Sequence, residues 1–390
     1  MKRIVILGAT GSVGTNTLAV VRDNPGSFEV AGIAARRASD SLAALAKEFP
    51  GAAVAMAEED DGSFGRSLSA GSRRAPLYSG ADAATRLVRE TETDICVAAM
   101  GGTAGLHPAF AAAEKGLRIL LANKEVLVSA GRLFMDAVRA GGAKVLPLDS
   151  EHTALWQCLE GRDRDDVERL VITASGGPFR TWTAEQMAEA APADAINHPV
   201  WRMGAKISVD SATLANKALE VIEAHVLFGI APDAIDILVH PQSAVHGMVE
   251  FTDGSVLAHM GVCDMRQPIS YMLFYPRRRP VKLPRFDLAR IARLDFAEPD
   301  SDRFPHLKLG LDACRKGGGY PALYNAANET AVELFLRGRL TYPGMALALT
   351  SAMSMNVRDT LASLDDVTDI HEQARQAVLL YAKTYHHAPV

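Results

Sequence analysis

Over its first 150 residues the chain alternates short apolar runs with stretches bearing leucine and alanine at helical spacing. The runs at 3–7, 28–34, 94–100, 117–121 and 144–148 read as strands, with helices such as 42–49 and 81–90 between them. Strands separated by helices of this length predict right-handed crossovers and a mostly parallel sheet. Residues 52–80, rich in glycine, serine and charge, predict no clear order of elements.

After Asp149 the texture changes. A strand at 170–174 leads to the turn Gly176-Gly177-Pro178, and the proline and glycines of 197–204 predict a loop. Leu214, Ala218, Leu219, Ile222 and Val226 form one apolar stripe, which predicts a single long helix over 211–228. Strands follow at 235–239, 244–251 and 255–260, the last two joined by an Asp253-Gly254 hairpin turn. Residues 275–286, punctuated by prolines and carrying Arg277-Arg278-Arg279, read as an extended, solvated linker. Beyond about residue 300 the pattern is helical, with Val367, Ile370, Ala374, Ala377, Val378 and Tyr381 on one face. The expected class is α/β, with a parallel sheet, then an α+β region, then helices.

Composition narrows the partners. With 48% apolar residues in 390, the chain has ample material for more than one core. Its 41 basic and 46 acidic side chains leave a net charge of −5, without the basic excess of a duplex-binding surface. No apolar run is long enough to span a bilayer. Lys2 and Arg3 lead straight into a strand, unlike a secretion signal, and Cys96, Cys158, Cys263 and Cys314 are widely spaced. These features predict a soluble cytoplasmic protein with reduced thiols, bound to neither nucleic acid nor membrane.

Three segments carry candidate chemistry. Gly8-Ala9-Thr10-Gly11-Ser12-Val13-Gly14 follows the first strand and opens a helix. Glycines there let the backbone approach a pyrophosphate, which helix N-terminal amides stabilise. The GxxGxxG spacing taken alone also fits a turn with no ligand. At the end of the second strand an NAD site usually carries an acid for the ribose hydroxyl. Here stand Arg36 and Arg37, whose guanidinium groups suit a 2′-phosphate and favour NADPH, although each arginine singly also fits a solvated surface.

The second segment is Asp149-Ser150-Glu151-His152, at the end of a strand. On an extended backbone Asp149 and Glu151 would point the same way and converge on one cation. Carboxylate oxygens without thiols suit Mg²⁺ or Mn²⁺. Two solvated acids are the alternative, and His152 fits an orienting or a structural role. The third segment runs from Asp210 to Glu220. Asp210 or Ser211 would cap a helix whose first amides attract an anion, with Asn216 and Glu220 on one face and Lys217 beside them. A capped surface helix is the bland alternative. Ser175-Gly176-Gly177 is a further anion nest, and His240, His246 and His259 read as buried structural residues.

Together these segments resemble the 1-deoxy-D-xylulose 5-phosphate reductoisomerase family. The likeness also runs through Leu121-Ala122-Asn123-Lys124-Glu125, Ala174-Ser175-Gly176-Gly177-Pro178-Phe179-Arg180, residues 197–220, His240-Pro241-Gln242-Ser243 and Tyr324-Asn325-Ala326-Ala327-Asn328-Glu329. It implies a Rossmann-like NADPH-binding domain (1–149), a catalytic domain (150–274), a linker (275–300) and a C-terminal helical domain (301–390), in a homodimer. It implies that Asp149, Glu151 and Glu220 hold Mg²⁺ or Mn²⁺. Ser150, Ser175, His198, Ser211, Asn216 and Lys217 would hold a phosphorylated sugar, with Lys124 beside them and Trp201 and Met203 covering it from a mobile lid. Thr10, Gly11, Ser12, Val13, Asn123, Glu125 and Gly204 would contact the nucleotide. Many family members carry Gly or Ser, then Lys, Ser or Asn, where this chain has Arg36-Arg37. Rival readings are a simple NADP-dependent aldehyde or semialdehyde dehydrogenase, which in its phosphorylating form needs a thiolate, and a non-catalytic NADPH-sensing regulator. Neither uses the three acids.

Overall fold

The computed structural model describes residues 1–69, 75–201 and 203–385. Arg202, within the expected loop, and residues 70–74, within the segment of unclear order, lie outside the described residues. The chain divides into two compact units, neither continuous in sequence. The first comprises 1–126, 134–153 and 264–283, and the second 127–133, 154–263 and 284 onward. This differs from the four consecutive segments expected from the sequence.

The first unit is built on seven strands: β1 (Lys2–Leu7), β2 (Phe28–Ala35), β3 (Ala53–Met56), β4 (Leu77–Ser79), β5 (Ile95–Ala98), β6 (Arg118–Leu121) and β7 (Lys144–Pro147). Their order is β4-β3-β2-β1-β5-β6-β7, and every pairing is parallel. Ile4, Val5, Ile6 and Leu7 are wholly buried, as continuous apolar runs are when helices cover both faces of a parallel sheet. The sequence missed β3 and β4 because both are very short and set among glycine, serine and charge.

The supposed linker is also corrected in part. Helix Arg266–Phe274 packs on helix Ser12–Asp23, and Phe274 meets Phe28 edge-on at 5.0 Å. Residues 277–280 are exposed and without regular structure, but Arg278 lies over the Tyr271 ring and Lys282 reaches Asp23 at 2.7 Å. The stretch through 283 therefore belongs to the first unit.

The second unit carries β8 (Val167–Ala174), β9 (Ile235–Val239), β10 (Val245–Phe251) and β11 (Val256–Met260), ordered β11-β10-β8-β9. Only β8 and β9 run parallel. The Asp253-Gly254 turn closes the β10–β11 hairpin, with Gly254 at φ +80° and its amide on the Phe251 carbonyl. Helices Pro305–Lys316, Tyr320–Leu336, Tyr342–Met353 and Leu364–Tyr385 complete the unit, and Val367, Ile370, Ala374 and Val378 bury the face expected of them.

The expected single helix over 211–228 is two. Helix Ala205–Ala212 ends, Leu214 takes a left-handed φ of 57°, and helix Ala215–Phe228 begins. The apolar stripe continues through the break, which is why periodicity alone could not see it. Among the described residues, no helix is long and apolar enough to cross a membrane.

Candidate active site

In the first unit the candidate residues gather at the carboxyl ends of the strands. Strand order reverses at β1 and β5, where open α/β sheets bind their ligands. The loop Thr10, Gly11, Ser12, Val13 lies there, between β1 and the helix opening at Ser12. Two glycines are required by close approach. A Cβ on Gly8, already at φ +79°, would lie 2.3 Å from the Ala99 carbonyl, and one on Gly14 would lie 2.3 Å from the Gly8 carbonyl. Arg36 and Arg37 follow β2 and are exposed; Arg36 stands 3.8 Å from Glu58 across open surface. Such a contact contributes little. Asn123, after β6, is buried and donates to the Gly102 carbonyl at 3.0 Å, and Glu125 opens the next helix.

Lys124 and Asp149 form an ion pair at 2.6 Å, with Asp149 only 14% exposed. Burial pushes the Asp149 carboxyl up, but Lys124 and then His152 override it and hold it well below the usual carboxylate range. One geometric expectation fails. β7 ends at Pro147, and Ser150 and Glu151 begin helix Ser150–Leu159, whose first turn is closed by the Thr153 amide on the Asp149 carbonyl. Asp149 and Glu151 are thus not alternate residues of an extended strand. The first helical turn sets their directions, and the Ser150 hydroxyl donates to Glu151.

The second unit presents a denser set. Ser175 Oγ lies 2.9 Å from His198 Nε2 and accepts the Gly177 amide at 3.2 Å. His198 Nδ1 accepts the amides of Trp201 (2.8 Å) and Val200 (3.2 Å), so the ring proton sits on Nε2 and is donated to Ser175. Burial, reinforced by the Lys217 ammonium, lowers the His198 pKa and keeps it neutral. The Ser175 proton is then available to a ligand. Trp201 and Met203 are half-buried, the Trp201 ring is 6.5 Å from that of His246, and Gly204 caps helix Ala205–Ala212.

On helix Ala215–Phe228, Glu220 is 1% exposed. Its carboxylate takes Lys217 Nζ at 2.6 Å on one oxygen and the Asn216 amide on the other. Asn216 and Glu220 share a helical face as expected, with Lys217 beside them. The cap expected of Asp210 or Ser211 is not, because the helix break puts both in the last turn of the preceding helix. Asp210 is instead buried, held by Lys206 (3.0 Å) and Asn328 (2.8 Å). Lys206 escaped notice in the sequence, although its spacing of four from Asp210 was a usable signal. His240 accepts the Ala244 amide, bonds the Asp295 carbonyl and stacks on Phe296, a structural role as expected.

Three of the four thiols argue against a nucleophilic cysteine. Burial pushes Cys96 up to about 12 and Cys158 and Cys314 up to about 11, the reverse of what a thiolate mechanism requires.

Comparison with known proteins agrees over nearly the whole chain. Residues 4–131 match the family model described as 1-deoxy-D-xylulose 5-phosphate reductoisomerase. Residues 145–228 match that of its C-terminal domain, and 260–377 that of the DXP reductoisomerase C-terminal domain. The chain belongs to the 1-deoxy-D-xylulose 5-phosphate reductoisomerase family. It is 45% identical over 387 residues to the 1-deoxy-D-xylulose 5-phosphate reductoisomerase of Chloroherpeton thalassium, covering 99% of this chain and 100% of that one. The Ralstonia nicotianae enzyme of the same name is 47% identical over 380 residues, covering 96% and 97%. Among solved structures, the Zymomonas mobilis reductoisomerase in complex with NADPH superposes with a TM-score of 0.90 at 40% identity, covering 97% of this chain and 99% of that one. A DOX-P reductoisomerase in complex with NADPH, fosmidomycin and magnesium gives 0.95 at 35% identity, covering both chains fully.

Proposed function

We propose that this chain converts 1-deoxy-D-xylulose 5-phosphate to 2-C-methyl-D-erythritol 4-phosphate with NADPH and Mg²⁺ or Mn²⁺, as a cytoplasmic homodimer supplying isoprenoid precursors. Family membership over the full length supports the reaction. The observation that carries the chemistry is the pairing of enclosed carboxylates with amines. Asp149 and Glu220 are each neutralised by a lysine at 2.6 Å, because an enclosed carboxylate demands a cation.

The residues present fit both implied groups. Asp149, Glu151 and Glu220 offer only carboxylate oxygens, the donor set of Mg²⁺ and Mn²⁺. The glycine cradle at Gly8 and Gly14 fits a pyrophosphate, Thr10–Val13, Asn123, Glu125 and Gly204 would contact the nucleotide, and the exposed Arg36 and Arg37 would suit its 2′-phosphate. When bound, the ion supplies Lewis-acid polarisation of the ketose oxygens and the nicotinamide supplies hydride.

The chain's own residues bind and orient. Ser175, its oxygen already satisfied by His198 and Gly177, directs its proton at the substrate's phosphate. Ser211, Asn216 and Lys217 complete that grip, so binding energy from the remote phosphoester positions the reacting carbons. Ser150 and Lys124 hold the other end of the sugar. Residues 197–201 with 203–204, Trp201 and Met203 among them, would form a lid that excludes water.

Incubating the purified protein with 1-deoxy-D-xylulose 5-phosphate, NADPH and Mg²⁺ should give NADPH oxidation and the branched tetrol phosphate, both abolished by chelator. Oxidation indifferent to chelator, or a product with an unbranched skeleton, would overturn the reading.

A further inference from the structure

Two segments of the second unit carry the serines assigned to the phosphate: the turn from Ser175 to Phe179 and the end of helix Ala205–Ala212. They touch at the backbone with no slack. Gly177 is at φ +67°, and a Cβ there would lie 2.4 Å from the Ser211 carbonyl oxygen and 3.2 Å from the Ala212 Cα. One side chain contacts both segments. The Tyr342 hydroxyl donates to the Ala212 carbonyl at 2.9 Å, next to Ser211, and the Tyr342 ring meets Phe179 edge-on at 5.2 Å and 85°.

That contact has a physical reason. The last carbonyls of a helix lack intrahelical partners, and a buried one needs a donor from elsewhere. Tyr342 supplies it from the first turn of its own helix, where Thr341 accepts the Gly344 amide at 3.1 Å. Phe179 is wholly buried and also packs on Trp182 at 4.5 Å, while Phe335 backs Tyr342 at 6.3 Å. Asn328 holds Asp210 on the other side of Ser211. Ser211 is thus fixed through both its neighbours by the C-terminal helices.

We infer that Tyr342 is a positioning residue that sets the spacing between Ser175 and Ser211, and with it the grip on the substrate's phosphate. The inference rests on the proposed role of those serines. Tyr342→Phe keeps the ring on Phe179 and removes only the donor to Ala212. Losing one buried hydrogen bond should raise the KM for 1-deoxy-D-xylulose 5-phosphate about five-fold. The KM for NADPH should stay at its wild-type value, and kcat should fall by less than the substrate KM rises. The dissociation constant of inorganic phosphate, read by phosphorus NMR, should rise by the same factor.

Should Tyr342→Phe lower the melting temperature too far to assay, Phe179→Leu tests the same spacing from the other segment, with the same split expected. A substrate KM and phosphate constant that stay at wild type, or an NADPH KM that rises in step, overturn the inference. Wild-type protein that binds phosphate without turning over the sugar would overturn the proposed reaction. Tyr342→Phe weakening phosphate in that protein would still support the positioning role.

Discussion

The two units hold their candidate residues by different means. In the first, apart from the Lys124–Asp149 ion pair and the Asn123 side chain, the backbone does the work at the end of the seven-stranded sheet, where glycines at 8 and 14 allow contacts that no Cβ would survive and the flanking arginines stay in solvent. In the second, side chains do it: Glu220, Asp210 and Ser175 are each fixed by two specific partners inside the protein. A binding loop made of backbone tolerates changes in side chains but not in volume at its glycines. A site made of buried polar side chains fails when any partner is removed.

The largest expected effect is in the second unit. Glu220→Gln should lower kcat by about a thousand-fold, several kcal/mol of lost metal-assisted stabilisation, with the NADPH dissociation constant unchanged. Retained metal-dependent turnover would dissolve the contrast. In the first unit, Gly14→Ala forces a methyl against backbone. It should cost about 1–3 kcal/mol of stability and weaken NADPH about ten-fold or more, as measured by melting temperature and fluorescence titration. Wild-type binding there would mean that the loop is free to shift. Arg37→Ala should weaken NADPH about ten-fold and leave NADH as it was. Equal weakening of both would remove the 2′-phosphate from that position.

A further test is in acid. Burial lowers His246, His306 and His371 to about 4, and all three belong to the second unit. Above the ordinary histidine value near 6.5 they are neutral in folded and unfolded states alike, and contribute no pH dependence. As pH falls from about 6.5 to about 4 the unfolded chain binds more protons, so stability is lost across that window and levels off below it. The melting temperature should drop between pH 7 and pH 4.5. Hydrogen exchange should show protection lost in β8–β11 and the C-terminal helices before the seven-stranded sheet. Uniform loss would place the acid sensitivity elsewhere.

The same contrast decided what could be read from the sequence. Five strands of the parallel sheet and the Gly8–Gly14 loop were legible, because buried strands are continuous apolar runs and a glycine spacing reports directly on backbone. The strands Ala53–Met56 and Leu77–Ser79 were not, since four and three residues carry too little pattern. The carboxylates and amines of the second unit were identifiable as residue types, but their geometry was not. Helical periodicity places Asn216 and Glu220 on one face with Lys217 beside them, yet the stripe runs unbroken through Leu214 and hides the end of a helix. Asp149 and Glu151 look like an extended pair in the sequence for a related reason: where a strand stops and a helix starts is a local choice that the apolar pattern does not record. The partners of Asp210 include one more than a hundred residues away, which no local pattern contains.

The left-handed Leu214 has a consequence for how this chain can change over time. Because the direction of each helical residue advances by about 100°, inserting or deleting one residue at the junction would swing Glu220 out of alignment with everything before it. Substitutions can accumulate on either side of that joint, but its length is a counted quantity, and drift by insertion or deletion should be excluded there while tolerated in the loops around it.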